Sequence, residues 1–156
     1  MSSDVFVSYP HEDQAIADAV CTALEGRGLK CWKAPRDIPP GTEWAEAIVN
    51  AIDNCRAVVL IFSAYTNSSK QISREVQIAF DKSIPVVPFR IENVVPTGSL
   101  AFYLGSVHGL DAWTRPIEPH LQRLADSVNT IVRMRRVGDK RTNDRKRGKS
   151  PATSVN

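Results

Sequence analysis

The chain is poor in the features that would settle a function at first sight. No apolar run comes near the roughly 20 residues that cross a bilayer. The opening stretch, Met1 to Tyr9, lacks the basic start and long apolar core of a secretory signal. The expectation is a cytoplasmic protein with no transmembrane segment. Cysteine is scarce and odd in number (Cys21, Cys31 and Cys55), and no C-x-x-C occurs. A disulfide framework or a cysteine zinc site is therefore not expected, and the three read as small buried hydrophobes. His11, His108 and His120 are scattered without metal-ligand spacing. There is no G-x-x-x-x-G-K-[ST] loop, no G-x-G-x-x-G after a strand and no G-x-S-x-G elbow. Nucleotide-kinase, Rossmann dehydrogenase and serine-hydrolase chemistries lose their main support, and no internal repeat points to a solenoid.

The charge is unevenly placed. Residues 133–149 hold nine Lys/Arg against two Asp/Glu, whereas the rest of the chain holds eleven against fifteen. A mildly acidic body thus carries a basic tail. The overall net charge of +3 gives no reason to expect a nucleic-acid surface on the folded part. A single domain over 1–132 and a basic, disordered tail over 133–156 is the expected division.

What the body does contain is short apolar runs at even spacing. Asp4–Ser8 reads as a strand, and His11–Gly26 has helical apolar spacing closed by Gly26 and Gly28. Leu29–Trp32 is a second strand. Lys33–Gly41 is a proline-stiffened loop, after which Thr42 is placed to cap a helix with the stripe Trp44, Ala47, Ile48, Ala51 and Ile52. Ala57–Phe62 is wholly apolar, as a strand covered on both faces must be. A polar loop over Ser63–Ser69 precedes a helix over Lys70–Lys82. Ile84–Phe89 is a fourth strand with its prolines expected at the ends, Arg90–Ser99 a loop, Val107–Leu110 a weak fifth strand and Pro116–Val132 a last helix. Repeated β-α units predict an open five-stranded parallel sheet with helices on both faces. The leading strand order is the flavodoxin-like 2-1-3-4-5, whose ligand crevice lies at the carboxyl ends of strands 1 and 3. Those ends are Ser8-Tyr9 and Ser63-Ala64-Tyr65. A response-regulator receiver shares that order but needs acidic residues and a lysine where this chain has Ser8-Tyr9, Ser63 and Arg90.

One residue is out of keeping with its surroundings. On the helix over Lys70–Lys82, Glu75 falls between Ala79 and Ile78 on the apolar arc, while Arg74 and Gln77 take the polar side. A buried unpaired carboxylate is expensive. Glu75 pairs with an arginine, such as Arg36 or Arg90, or snorkels at the edge of the stripe, or else it is a charge kept at the crevice for chemistry. Its helix follows the third strand, which puts its first turns beside the predicted crevice. Trp32, Trp44 and Trp113 read first as packing residues.

Several stretches, in order, resemble the Toll/interleukin-1 receptor (TIR) domain family, and its bacterial members in particular. Asp4-Val5-Phe6-Val7-Ser8-Tyr9 with Glu12-Asp13 resembles the opening box. Gly28–Trp32, then Ala34-Pro35-Arg36-Asp37-Ile38 and Pro40-Gly41, resemble the second strand and the long loop after it. Ala57–Ser63, Ser73-Arg74-Glu75-Val76, Pro85–Ile91 and Leu110-Asp111-Ala112-Trp113 continue the match, which covers about residues 3–132.

The resemblance implies the flavodoxin-like fold. It also implies an NAD+ nucleosidase that cleaves the nicotinamide–ribose bond to give nicotinamide and ADP-ribose or a cyclic isomer. NAD+ is then the substrate, and no cofactor is needed. Glu75 matches the catalytic glutamate by position. The substrate-binding set carried over with it is Ser8, Tyr9, His11, Arg36, Asp37, Ile38, Trp44 and Tyr65, with backbone N–H groups after strand 1, His11 and Arg36 as donors to the pyrophosphate. Several active members have Trp four residues before the glutamate, where this chain has Gln71, so aromatic support must come from Tyr9, Trp44 or Tyr65. Family members act in signalling and antiphage defence and assemble through the loop matching residues 33–41, which implies a homo-oligomer. The alternative is a non-catalytic TIR–TIR interaction module.

Overall fold

The structure is a computed structural model that describes residues 3–155, with side chains described from 3 to 138. Five parallel strands form one sheet in the order β2-β1-β3-β4-β5. They are β1 (Val5–Ser8), β2 (Cys31–Trp32), β3 (Ala57–Phe62), β4 (Val86–Arg90) and β5 (Leu110–Asp111). Around them lie α1 (Gln14–Glu25), α2 (Trp44–Asp53), α3 (Ala64–Asn67), α4 (Lys70–Asp81), α5 (Gly98–Leu104) and α6 (Glu118–Val155). This is the predicted open sheet and strand order. No helix among the described residues is long and apolar enough to cross a membrane.

The alternation along each strand divides the core into two layers. Val5 and Val7 of β1 with Ala57, Val59 and Ile61 of β3 pack under α1 and α6, against Val20, Leu24, Leu124 and Val128. Phe6, Val58, Leu60 and Phe62 face the other way, against Ile48 and Ile52 of α2, Ile72 and Val76 of α4, and Leu100 and Leu104 of α5. Every residue of β3 is buried, as expected of a central strand covered on both faces. Cys21, Cys31 and Cys55 are free thiols inside this core.

The differences from the sequence reading have local causes. The first helix begins with a 3-10 turn at His11–Asp13 and becomes α-helical only at Gln14. It ends where expected: Gly28 adopts φ +80, and the amide of Leu29 reaches back to the Leu24 carbonyl, a left-handed closure that favours glycine. Thr42 does not cap α2. Its amide closes a turn onto the Pro39 carbonyl at 3.1 Å, with Gly41 at φ +80, the geometry that Pro at the second and Gly at the third turn position dictate. Glu43 takes the cap position without a side-chain bond.

The Ser63–Ser69 segment contains a short helix, α3, closed by a Ser63–Thr66 capping box. Helix α5 occupies a stretch with no predicted element. Pro88 lies inside β4 rather than at its end. Its side of the strand is the one from which the Arg90 carbonyl accepts the Ala112 amide, and β5 begins to pair only at Phe89. The missing N–H therefore interrupts no ladder. Strand β5 pairs only from Leu110, and before it Gly109 lies close against Pro88, where an added Cβ would meet the ring carbon at 3.1 Å.

The last helix does not stop at Val132. Nothing in Arg133–Val137 breaks a helix, and Arg136 ties the extension to the body through an ion pair with the buried Asp4 at 2.6 Å. The boundary expected after residue 132 falls within α6. Further along, the side chains of the basic tail lie outside the described residues.

Candidate functional site

Strand β1 delivers Ser8 and Tyr9 to the carboxyl edge of the sheet, and the connection after β3 returns there to start α4. Ser69 caps α4, its hydroxyl accepting the Ile72 amide at 3.2 Å. The cap fixes the phase of the helix, and that phase turns Ile72, Glu75, Val76 and Ala79 inward. Glu75 is thus buried among aliphatic neighbours, with 6% of its surface exposed.

Its carboxylate has two neutral partners. The Ser8 hydroxyl donates to Oε1 at 2.7 Å, and the Gln71 side-chain amide donates to Oε2 at 3.0 Å. No cation pairs with it among the described residues. Arg90 lies elsewhere, bonded to Asp111 at 2.9 Å and stacked over Trp113. Burial pushes the Glu75 pKa up, and the bonds from Ser8 and Gln71 pull against that without cancelling it. The residue is a carboxylate held by dipoles, not neutralised in an ion pair.

Glu75 opens onto a cleft of about 520 Å³ walled by Tyr9, His11, Ala34, Pro35, Trp44, Ser69 and Gln71. Four predicted site residues therefore meet around one space, namely Tyr9, His11, Trp44 and Glu75, and Ser8 stands directly behind the last of them. Tyr9 also fixes the loop after β2: its hydroxyl donates to the Ala34 carbonyl, and its ring lies 5.9 Å from the Lys33 ammonium. Lys33 is itself buried and paired with Asp18 at 2.5 Å. Burial raises the Tyr9 pKa, which keeps the phenol protonated as a donor.

Other expected residues are elsewhere. Arg36 does not line the cleft. Its guanidinium bonds Asp37 at 2.9 Å, Glu25 at 3.2 Å and the Cys31 carbonyl at 2.8 Å, and the Asp37 and Glu25 carboxylates raise its pKa further. Asp37 serves that network and accepts the Lys33 amide. Ile38 is half-buried and closes a turn onto Pro35. Tyr65, on α3, is exposed and takes no part in the cleft wall. Gln71, which at first sight only departs from a family pattern, is a direct partner of Glu75. Its position one helical turn before Glu75 is the signal that could have revealed this, since residues four apart on a helix meet.

A larger hollow of about 700 Å³ lies beside Trp113 and the start of α6. It carries no buried titratable side chain. No group of three or more His, Cys, Asp or Glu able to hold a metal occurs among the described residues. Among the described residues, Glu75 is a buried acid with no cation partner that lines open space.

Comparison with known proteins agrees with this geometry. A family model described as a TIR domain matches residues 5–125. No curated protein sequence matches the chain. Among solved structures, the TIR domain of the Toll-related receptor TRR-2 from Hydra magnipapillata superposes with a TM-score of 0.70 at 23% identity, covering 82% of this chain and 99% of that one. A metazoan TIR-STING receptor from C. gigas gives 0.60 at 21% identity, covering 83% of this chain but 40% of the receptor. The TIR domains of the activated Roq1 resistosome, which directly recognizes the pathogen effector XopQ, give 0.55 at 20% identity over 85% of this chain and 84% of that one. With the predicted strand order and a family match over most of its length, the chain belongs to the TIR domain family.

Proposed function

We propose that the protein is an NAD+ glycohydrolase in which Glu75 is the catalytic residue. The observation that carries this reading is a carboxylate that is buried, free of any cation among the described residues, and placed at the wall of an open cleft. A scaffold gains nothing from such a group, because burying it costs free energy that an apolar residue would not.

The chemistry needs only one carboxylate. The C1–N bond of the nicotinamide riboside breaks with its electron pair going to the pyridinium nitrogen. Nicotinamide therefore leaves neutral and needs no general acid, unlike the leaving group of a glycosidase. Positive charge builds on C1 and the ring oxygen of the ribose. A fixed anion in a water-poor cleft stabilises that charge, because its donors are already oriented and need not reorganise. Water then adds at C1 and loses a proton, giving ADP-ribose; attack by the adenine ring gives a cyclic isomer. Ser8 and Gln71 hold Glu75 in place. Trp44 and Tyr9 supply the aromatic walls that the family tryptophan, replaced by Gln71, would otherwise supply. Release of nicotinamide by concentrated or nucleated protein, lost in Glu75→Gln, is the test.

The reading extends to the setting. The Tyr9–Ala34 bond joins the cleft to the 33–41 loop, so assembly of a homo-oligomer through that loop would reshape the site. A cytoplasmic role in signalling or antiphage defence fits such a switch. The second reading is a non-catalytic TIR–TIR interaction module, and Gln71 in the place of tryptophan is the observation that favours it. Absence of nicotinamide release from oligomers shown to have formed would decide for the module.

A further inference from the structure

The Glu75 cleft is electrically unsuited to one part of NAD+. Its lining includes Glu12, Glu75 and no lysine or arginine. The cationic pyridinium end fits such a space, and the doubly anionic pyrophosphate does not. The two cations nearest in sequence reasoning are both spent, Arg36 on Glu25 and Asp37, and Lys33 on Asp18.

A second space begins where the first ends. A groove of about 340 Å³ between α2 and α4 shares Trp44, Gln71 and Glu75 with the cleft. Its floor is apolar, from Ile48, Val49 and Ile78, and its rim carries Lys70 and Arg74. These two cations sit one helical turn apart, both exposed, and neither has a hydrogen bond or ion pair among the described residues. Trp44 is 53% exposed and forms the partition between the two spaces.

We infer that the α2–α4 groove is the subsite for the adenosine-phosphate half of the dinucleotide, with Lys70 and Arg74 binding the pyrophosphate and Trp44 stacking on the adenine. This rests on the proposed reaction for the identity of the substrate. The reacting ribose then lies at Glu75, where the two spaces meet, the cationic end of the substrate on the acidic side and the anionic centre on the basic side. Arginine and lysine on phosphate form charge-assisted bonds, and an exposed indole offers a face to any base.

The test compares wild type, Lys70→Ala/Arg74→Ala and the control Lys82→Ala, whose ammonium pairs with Asp53 at the far end of α4. ADP-ribose binding is measured by calorimetry, and nicotinamide release is measured from NAD+ and from nicotinamide riboside, which has neither phosphate nor adenine. The double variant is expected to bind ADP-ribose at least tenfold more weakly and to raise KM for NAD+ at least tenfold. It should leave cleavage of the riboside within about threefold of wild type, and Lys82→Ala should match wild type throughout. Unchanged ADP-ribose affinity and KM overturn the subsite while leaving the hydrolase reading intact. An equal loss on the riboside also overturns it, and so does lost self-association with unchanged affinity, which assigns the groove to a second copy of the chain. ADP-ribose binding that depends on Lys70 and Arg74, in a protein that releases no nicotinamide, keeps the subsite and removes the hydrolase. Absence of both binding and release removes the two together.

Discussion

The Ser8 hydroxyl, at the end of β1, lies 2.7 Å from the Glu75 carboxylate on α4 across 67 residues of sequence. This bond joins the central sheet to the acid at the cleft wall. It also fixes which way the carboxylate points, because Ser8 is itself locked in the parallel ladder with Leu60. Ser8→Ala removes a donor to a buried charged group, a loss of about 1.5–3 kcal/mol. The variant is expected to be less stable by that order in denaturant unfolding. Its acid limb of activity should move to higher pH, because the charged form of Glu75 has lost a bond. An unmoved acid limb would show that the bond does not act on the titration of Glu75.

Burial holds the Glu75 pKa above its ordinary 4.5. Between that value and the folded-state value, the native protein keeps a proton that the unfolded chain has released. Raising the pH through this window therefore weakens the fold. Glu75→Gln removes the slope. The variant should melt at a higher temperature than wild type near about pH 8 and at a similar temperature near about pH 4, where both chains are protonated or neutral at this position. A variant less stable than wild type at about pH 8 would mean that Ser8 and Gln71 stabilise the anion more than burial opposes it.

The same shift should be visible in turnover. The proposed reaction needs Glu75 as the anion, so activity should fall on acidification with a midpoint above the ordinary glutamate value. Gln71→Leu keeps the size of the side chain and removes its donor, and should raise that midpoint further. The pH dependence of kcat/KM for nicotinamide release, which reports the free enzyme, reads both effects.

Trp44 presents its ring to solvent at the junction of the two spaces. Stacking of a base on an aromatic ring is worth about 1–3 kcal/mol by alanine substitution, so Trp44→Ala should raise KM for NAD+ by about 5- to 150-fold on that scale. Because the side chain is already half exposed, the melting temperature should change little. A large loss of stability with an unchanged KM would return Trp44 to a packing role.

The outline of the fold was readable from the sequence because it depends on period and length. The apolar run of Ala57–Phe62 and the stripe of Ile72, Val76 and Ala79 each specify one element. Glu75 was readable for the same reason, as the charged member of an apolar arc. What was hidden depends on contacts between distant segments. The bond from Ser8 to Glu75 and the Arg136 pair with Asp4 have no local pattern. Arg36 looked like a phosphate donor because its chemistry suits phosphate. Nothing in its neighbourhood revealed that Glu25, eleven residues earlier on α1, would turn it away.

That placement makes a further prediction. Arg36 holds the 33–41 loop to α1 through exposed ion pairs, which contribute about 0–1 kcal/mol, and through the Cys31 carbonyl. Arg36→Ala should loosen the loop, seen as faster amide exchange from Lys33 to Ile38. It should leave KM for NAD+ within about twofold when assembly is held constant. A tenfold rise in KM would return Arg36 to the substrate.

The most direct measurement is nicotinamide released from NAD+ by concentrated, demonstrably oligomeric protein, wild type against Glu75→Gln. The account predicts release by wild type and a loss of about 10²–10³-fold or more in the variant. Equal rates in the two proteins, or no release by assembled wild type, would contradict it.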